Sequence, residues 1–340
     1  MQVAVIGHSD LDIAPAVAAD LALGGHDVAW WPAPEAVRSR GGIDVRDDAQ
    51  GQARFAGLRT PATAAEALAG AAAVVLDIPA GRLLQEMEAL ASFVPAGTLV
   101  HAQSHGYWPA SRLAAAFGGR GWLLADSSGP THAAALRGAA LDMHARRRNL
   151  RFSSIGGDTL PVLRGLYDSA QAADAPLETG LESLNLMVHP GATIANLAAL
   201  DRAEAAGTGF GFYAEGNTPA AARLAEALDA ERAAVCRAWG VRHRSLRESL
   251  AVIYGATGAT LREAIANCPF YARLGALPSA APRRWARTDL PFALVPLVRL
   301  AEARGVATPM HRAAIAVLGT AFDIDPWPEA PTLRQLGVHP

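Results

Sequence analysis

The rarer side chains of this sequence crowd into one stretch. Most of the chain is Ala, Leu, Val and Arg, but residues 185–232 bring together Asn185, His189-Pro190-Gly191, Asn196, Tyr213, Glu215, Asp229, Glu231 and Arg232. Imidazole is the side chain that takes up and releases a proton near neutral pH, so a histidine in such company points first to proton transfer. Proline biases the residue before it away from helical geometry, which predicts His189 at a chain bend and not inside a helix. An isolated histidine in an apolar run would be a hydrogen-bonded core residue. His189 is not isolated.

These residues need elements to position them, and the chain supplies two kinds. Val3–Ile6 is a strand-like run ending at Gly7, followed by a helical pattern over Ala14–Leu23, a Gly24-Gly25 stop and a second strand to Trp31. Helix 61–69 (Thr60 cap, Pro61 at its first position), strand Ala73–Leu76, helix 80–92, strand Thr98–Ala102 and two further strands at Trp122–Ala125 and Leu150–Ile155 continue the alternation. This pattern predicts an α/β domain over residues 1–180, a Rossmann-like, doubly wound, mostly parallel sheet. Beyond Glu182 helical periodicity takes over, which predicts an all-helical C-terminal domain over 181–340. Thr218-Pro219 opens one of its helices, Gly240 closes it, and Leu224, Leu228, Val235 and Trp239 mark its apolar stripe. Asp229, Glu231 and Arg232 then read as solvated faces or helix-to-helix ion pairs.

Composition narrows the function classes. The 340 residues are 51% hydrophobic and 18% charged with a formal net charge of −2, a globular chain with no basic surface that would call for nucleic acid. There is no lysine, which excludes Schiff-base chemistry and a phosphate-loop lysine. Cys236 and Cys268 lack ligand spacing and are expected as packed thiols. No run has membrane-spanning length and no basic lead precedes the first strand, so a cytoplasmic location is expected. The subunit count stays open, a homodimer included.

The opening turn departs from what a dinucleotide needs. Gly-x-Gly-x-x-Gly permits the tight turn, backbone approach to the pyrophosphate and helix-to-strand packing. Here the run is Gly7-His8-Ser9-Asp10-Leu11-Asp12-Ile13-Ala14, with only the first glycine kept. Asp10 and Asp12 would face the pyrophosphate with like charge. The second strand ends Trp30-Trp31-Pro32-Ala33, where a ribose-binding acid is expected; Glu35 comes late, and Arg38 and Arg40 lie farther on. After the strand at 98–102, His101 and His105 are four apart but not on a helix, so no metal site is expected and His105 reads as polar lining of a ligand cleft. Trp30, Trp31 and Trp108 fit either a bulky-ligand cleft or a core.

Several motifs recur as a set: Asn185-x-x-x-His189-Pro190, Asn196, Tyr213-x-Glu215-Gly216-x-Thr218-Pro219, Asp229-x-Glu231-Arg232, Thr288-Asp289-Leu290-Pro291 and Thr332-Leu333-Arg334-x-Leu336-Gly337. Together they resemble the octopine/nopaline (opine) dehydrogenase family across nearly the whole chain. The resemblance implies an oxidoreductase that joins an amino acid's amine to a 2-oxo acid and reduces the imine with hydride from NAD or NADP, in a cleft between the two domains. It implies His189 as general acid/base, Asp289 as the carboxylate orienting it, and Arg137 as a clamp on a substrate carboxylate. Asn185 and Asn196 would hold substrate or imidazole, and Gly7 and Ser9 are what remains of the cofactor loop. Glu215 is expected to be structural. From the residues alone, Asp289 reads equally as the N-cap of a helix opening near Pro291, and Arg137 as a surface ion pair. The degraded loop beside a kept acid–base pair supports a competing expectation: a non-redox isomerase, lyase, cyclase or hydrolase of an amino or oxo acid on the same scaffold. A silent ligand-binding protein is a third.

Overall fold

A computed structural model describes residues 1–7, 12–47, 53–103 and 107–338. The chain divides into two compact units, Met1–Thr179 and Gly180–Pro340.

In the first unit the strands are β1 (Gln2–Gly7), β2 (Asp27–Trp31), β3 (Gly42–Asp47), β4 (Arg54–Gly57), β5 (Ala73–Asp77), β6 (Leu99–Ala102), β7 (Leu123–Ser127), β8 (His132–Arg137), β9 (Ala140–Arg146), β10 (Arg151–Ile155) and β11 (Gln171–Ala172). Its helices are α1 (Ile13–Leu23), α2 (Glu35–Arg40), α3 (Ala64–Leu68), α4 (Leu83–Leu90), α5 (Pro109–Phe117), α6 (Leu160–Leu166) and α7 (Pro176–Leu181). Seven strands form one sheet in the order β11-β10-β7-β6-β5-β1-β2, parallel except where β10 runs against β7. The doubly wound expectation holds. β1 and β5 read as continuous apolar runs because both faces of such a sheet are covered, and Val3, Val5, Val74 and Val75 are fully enclosed.

A second sheet, β4-β3-β9-β8, escaped the sequence reading. Its β8–β9 hairpin turns at Gly138 (φ 64°), but its strands are rich in alanine, which masks the apolar–polar alternation. Arg146 is the last residue of β9. Its guanidinium pairs with Asp20 of α1 (2.6 Å) and with Asp47 of β3. Helix 61–69 is also shorter than expected: Thr63, not Thr60, caps it by accepting from Glu66 N at 3.2 Å. The tryptophans belong to the core, since Trp30 and Trp108 are fully buried and Trp31 packs against a buried cluster that includes Ala4, Ile6 and Leu76.

The second unit is helical: α8 (Val188–Ala205), α9 (Pro219–Trp239), α10 (Leu246–Tyr254), α11 (Leu261–Ala266), α12 (Pro269–Leu274), α13 (Ala281–Asp289), α14 (Val295–Glu302) and α15 (Pro309–Phe322), with a two-residue strand pair β12 (Gly209–Phe210) and β13 (Leu277–Pro278). Thr218 caps α9, and a Ser245/Glu248 capping box opens α10. Of the two expectations for Asp229-x-Glu231-Arg232 the ion pairs hold: Asp229 and Arg232 are buried and pair with each other, and part-buried Glu231 pairs with His311 of α15. Arg232 is 1% exposed and spends its guanidinium on Asp229, the Leu181 carbonyl (2.9 Å) and the Arg244 carbonyl (2.6 Å). Asp229 also accepts from Leu246 N at 2.8 Å, and Glu231 takes the backbone N–H groups of Met310 and His311. A buried charge tolerates the interior only with its partners present.

Removing one partner therefore costs more than the pair contributes: Asp229→Ala is expected to destabilise the protein by about 3–5 kcal/mol in denaturant unfolding, with Arg232 left uncompensated. In the first unit, burial pushes the Asp126 carboxyl up to about 6, against the lowering effect of the Ser153 and Thr179 hydroxyls that donate to it. Between its ordinary value of 3.8 and about 6 the folded state holds a proton that the unfolded state has released, so stability falls as pH rises through that window. Melting temperature measured across it should fall in the wild type, and the Asp126→Asn variant should flatten the slope.

Candidate active site

His189 is the second residue of α8, inside the helix and not at a bend before it. Pro190 follows it within the first turn, where a backbone N–H has no helical acceptor to lose, so the proline is tolerated. The first bond of the helix runs from Gly191 N to Met187 O at 3.2 Å. Gly191 is required by packing: a Cβ there would lie 2.9 Å from Ala225 N and 3.1 Å from Ala221 O of α9. The start of α8 thus rests directly on the backbone of α9, and His189 is carried on that fixed turn.

Asp289 caps no helix. It is the last residue of α13, and the chain continues through Leu290–Leu294 in a π turn into α14, with Val295 N bonded to Leu290 O. Pro291 explains the wider turn, because it has no N–H and its ring would strike the carbonyl four residues back in a regular helix. Trp285 lies one turn before Asp289 on the same face of α13. Both meet the histidine: Asp289 Oδ2 is 2.8 Å from His189 Nδ1, and the Trp285 ring stacks on the imidazole at 4.3 Å and 17°. The Tyr213 hydroxyl is 3.2 Å from His189 Nε2, and Tyr213 itself stacks on Tyr271 at 3.9 Å.

The arrangement fixes both ring nitrogens. A carboxylate accepts, so Nδ1 donates to Asp289, and Nε2 is left to accept from the Tyr213 hydroxyl. The imidazole is 14% exposed at the side chain and Asp289 is 5%. An imidazole oriented by a buried carboxylate, with an aromatic ring stacked on its face, is equipped to pass a proton at Nε2.

Tyr213 and Trp285 were not singled out for chemistry in the sequence. Tyr213 stood inside a quoted motif without a role, and no local pattern announces Trp285, since only the fold places it over His189. Asn196 does a different job from the one expected. Its Nδ2 donates to Ala192 O (2.8 Å) and Gly216 O (2.9 Å), which ties the loop carrying Tyr213 to α8. Asn185 lies half-buried in the short turn that precedes α8. Glu215 is exposed, in the same loop as Tyr213. Arg137 is 80% exposed at the side chain at the end of the β8–β9 hairpin, 3.5 Å from Asp142 across it. That geometry is the surface ion pair, not a carboxylate clamp. Ser9, Asp10 and His105 lie outside the described residues. His101 is enclosed between the Tyr167 hydroxyl (3.1 Å) and Ser127 Oγ (3.3 Å), with burial holding its pKa down to about 3. Among the described residues no group of three or more His, Cys, Asp or Glu could hold a metal ion, and no helix is long and apolar enough to cross a membrane.

Residues 172–322 match the NAD/NADP octopine/nopaline dehydrogenase alpha-helical domain. The match falls largely within the second unit, Gly180–Pro340. An opine dehydrogenase of Arthrobacter sp. (strain 1C) is 34% identical over 167 residues, 49% of this chain and 45% of that protein, so the match spans under half of the relative's length. Among solved structures, octopine dehydrogenase in complex with NADH and agmatine superposes with a TM-score of 0.76 at 20% identity, over 95% of this chain and 90% of that one. A PanE/ApbA family ketopantoate reductase from Ralstonia eutropha JMP134 gives 0.67 at 16% identity, over 95% of this chain and 99% of that one. At these identities the likeness establishes the fold of an octopine dehydrogenase, a Rossmann-like sheet followed by the helical domain.

The fold implies a nicotinamide dinucleotide on the first unit, and the residues there do not fit one. The amino end of α1 should present free N–H groups to the pyrophosphate. Instead the Asp77 carboxylate, at the end of β5, accepts from Ala14 N at 2.8 Å. Asp12 is likewise turned away from a ligand, with its Oδ2 accepting from Leu136 N at 2.9 Å. Gly7 is explained by packing, because a Cβ there would lie 2.3 Å from the Asp77 carbonyl, and its own carbonyl accepts from the Trp30 indole. A unit charge brought to about 4 Å from a fixed carboxylate at an effective dielectric near 20 is repelled by about 4 kcal/mol.

In the helical unit, the His189–Asp289 bond can be tested without a substrate. The wild type is expected to show a downfield, slowly exchanging imidazole Nδ1–H resonance for His189. Asp289→Asn should abolish it and Tyr213→Phe should leave it, whereas its survival in Asp289→Asn would show that the bond is not made.

Proposed function

We propose that this protein is an opine-dehydrogenase-like enzyme acting on a small amino or 2-oxo acid, with the acid–base half of that chemistry carried by the helical unit. The observation behind the reading is the 2.8 Å bond between His189 Nδ1 and Asp289, on an imidazole whose other nitrogen meets a tyrosine hydroxyl. His189 serves as general acid/base. Asp289 holds the tautomer with Nε2 as the exchanging atom and stabilises the imidazolium once it forms. Trp285 fixes the ring plane, and Tyr213 is the neighbour through which, or in place of which, a substrate meets Nε2. When an amine adds to a 2-oxo acid carbonyl, a carbon–nitrogen bond forms and the carbonyl oxygen leaves as water. Two protons move from the nitrogen to that oxygen, one on addition and one on dehydration, and each time the imidazolium gives a proton to the oxygen and the neutral ring recovers one from the nitrogen. The reverse sequence hydrolyses the same linkage with the same two groups.

A second reading, full reductive condensation with NAD(P)H, is favoured by the match of the helical unit to a NAD/NADP dehydrogenase domain. The amino end of α1 opposes it. Both readings share the histidine.

Panels of amino acids and 2-oxo acids, alone and in pairs, can be incubated in D2O and followed by NMR and mass spectrometry for deuterium uptake and new products. His189→Ala is expected to reduce any such turnover by about 10²–10⁴-fold, the usual worth of a positioned acid–base group, and Asp289→Asn by a smaller factor. Wild-type turnover in His189→Ala would remove the acid–base role.

A further inference from the structure

The amino end of a helix exposes N–H groups without helical partners and the positive end of its dipole, and a dinucleotide fold spends both on the pyrophosphate. In this protein one of those N–H groups, that of Ala14, already has an anion. Ala14 is the second residue of α1, and its N–H donates to Asp77 Oδ2 at 2.8 Å. Asp77 is 2% exposed, held at the last position of β5 and in register with Gly7 at the last position of β1. The two strands close against each other there, and only a glycine at position 7 (φ 109°) permits it. The carboxylate is built into the sheet.

On the ribose side the charged groups are paired with one another, though at the surface. Past β2, the two residues able to recognise an adenosine ribose or its 2′-phosphate are Glu35 and Arg38. They are ion-paired with each other, Ser39 Oγ donates to Glu35 at 2.7 Å, and Arg38 donates to the Ala33 carbonyl at 2.9 Å. Arg40 is committed to Asp44 at 2.8 Å. These pairs lie on the surface and are separable, whereas Asp77 is enclosed.

We infer that Asp77 permanently occupies the anion seat of α1, so that the first unit takes no nicotinamide dinucleotide and the protein works without hydride transfer. Asp77 is a substitute for the pyrophosphate, an internal anion that satisfies the helix end which the cofactor satisfies in a dehydrogenase. The inference goes beyond the role proposed for His189 and does not depend on it.

Full-length protein is titrated with NADH and NADPH, following nicotinamide fluorescence and melting temperature, alongside Asp77→Ser and the isosteric Asp77→Asn. The second variant keeps an acceptor for Ala14 N if the first fails to fold. At about 1 mM cofactor the wild type should show no saturable signal and no rise in melting temperature, since a ligand bound only by the folded state must stabilise it. A folded Asp77 variant should bind at least about tenfold more tightly than the wild type, the effect of removing one like charge. Saturable wild-type binding in the micromolar range overturns the inference, and so does failure of both folded variants to gain affinity. His189-dependent turnover that requires NADH would overturn it while leaving the acid–base role intact. Turnover that needs neither cofactor nor His189 would do the reverse.

Discussion

The carboxylate–imidazole bond between Asp289 and His189 makes specific demands on the helical unit. The two residues are a hundred positions apart, and each is held by a feature that would be a flaw elsewhere. α8 begins with a proline in its first turn, and the chain from α13 to α14 contains one in the middle of a helical run. The first is harmless because no hydrogen bond is lost there. The second forces a π turn directly after Asp289, and such turns recur at functional sites because they set a side chain at an angle a regular helix cannot reach. Gly191 lets α9 approach, Asn196 anchors the Tyr213 loop, and Trp285 covers the ring from one turn before the carboxylate. The surroundings are arranged around one orientable imidazole.

Much of this was legible from the chain. The βαβ rhythm of the first unit, the cap at Thr218, the glycine stop at Gly240 and the change to helical periodicity beyond Glu182 are local signals with local causes, and they correspond to elements of the structure. His189 and Asp289 were legible as a pair through the motifs around them. What was misread depends on tertiary contacts. The helical state of His189 overrides the bias imposed by Pro190, and the continuity of α13 into α14 is invisible where Asp-Leu-Pro looks like a helix start. Arg232 fits a solvated face or an ion pair alike in the sequence, and only the fold decides for the pair, because Asp229 and two carbonyls are folded around it. The alanine-rich β8–β9 hairpin carries no clear alternation, so the second sheet left no trace in the pattern.

Arg137 and Asn196 illustrate a different limit. Both sit at positions where a family pattern suggests contact with a substrate, yet the structure gives one to a hairpin ion pair and the other to backbone carbonyls. Residue type and spacing identify groups able to bind a carboxylate or an amide. They do not say whether the protein has already used those groups on itself.

The same reasoning, applied to α1, separates the two halves of the chemistry. A helix end must satisfy its free N–H groups, and a carboxylate from within the chain can do so as well as an anion from outside. Asp77 meets that need, and Gly7, which would mark a phosphate turn in a dehydrogenase, is accounted for by the close approach of β1 to β5 alone. The glycines that bring a backbone near a pyrophosphate then lose their purpose, which gives a physical reason for an opening turn that kept only the first of them. The helical unit meanwhile keeps a histidine whose two nitrogens, stacking face and carboxylate partner are all defined. Selection for a hydride donor and selection for a proton donor act on separate residues in this architecture, so one can be lost while the other is maintained.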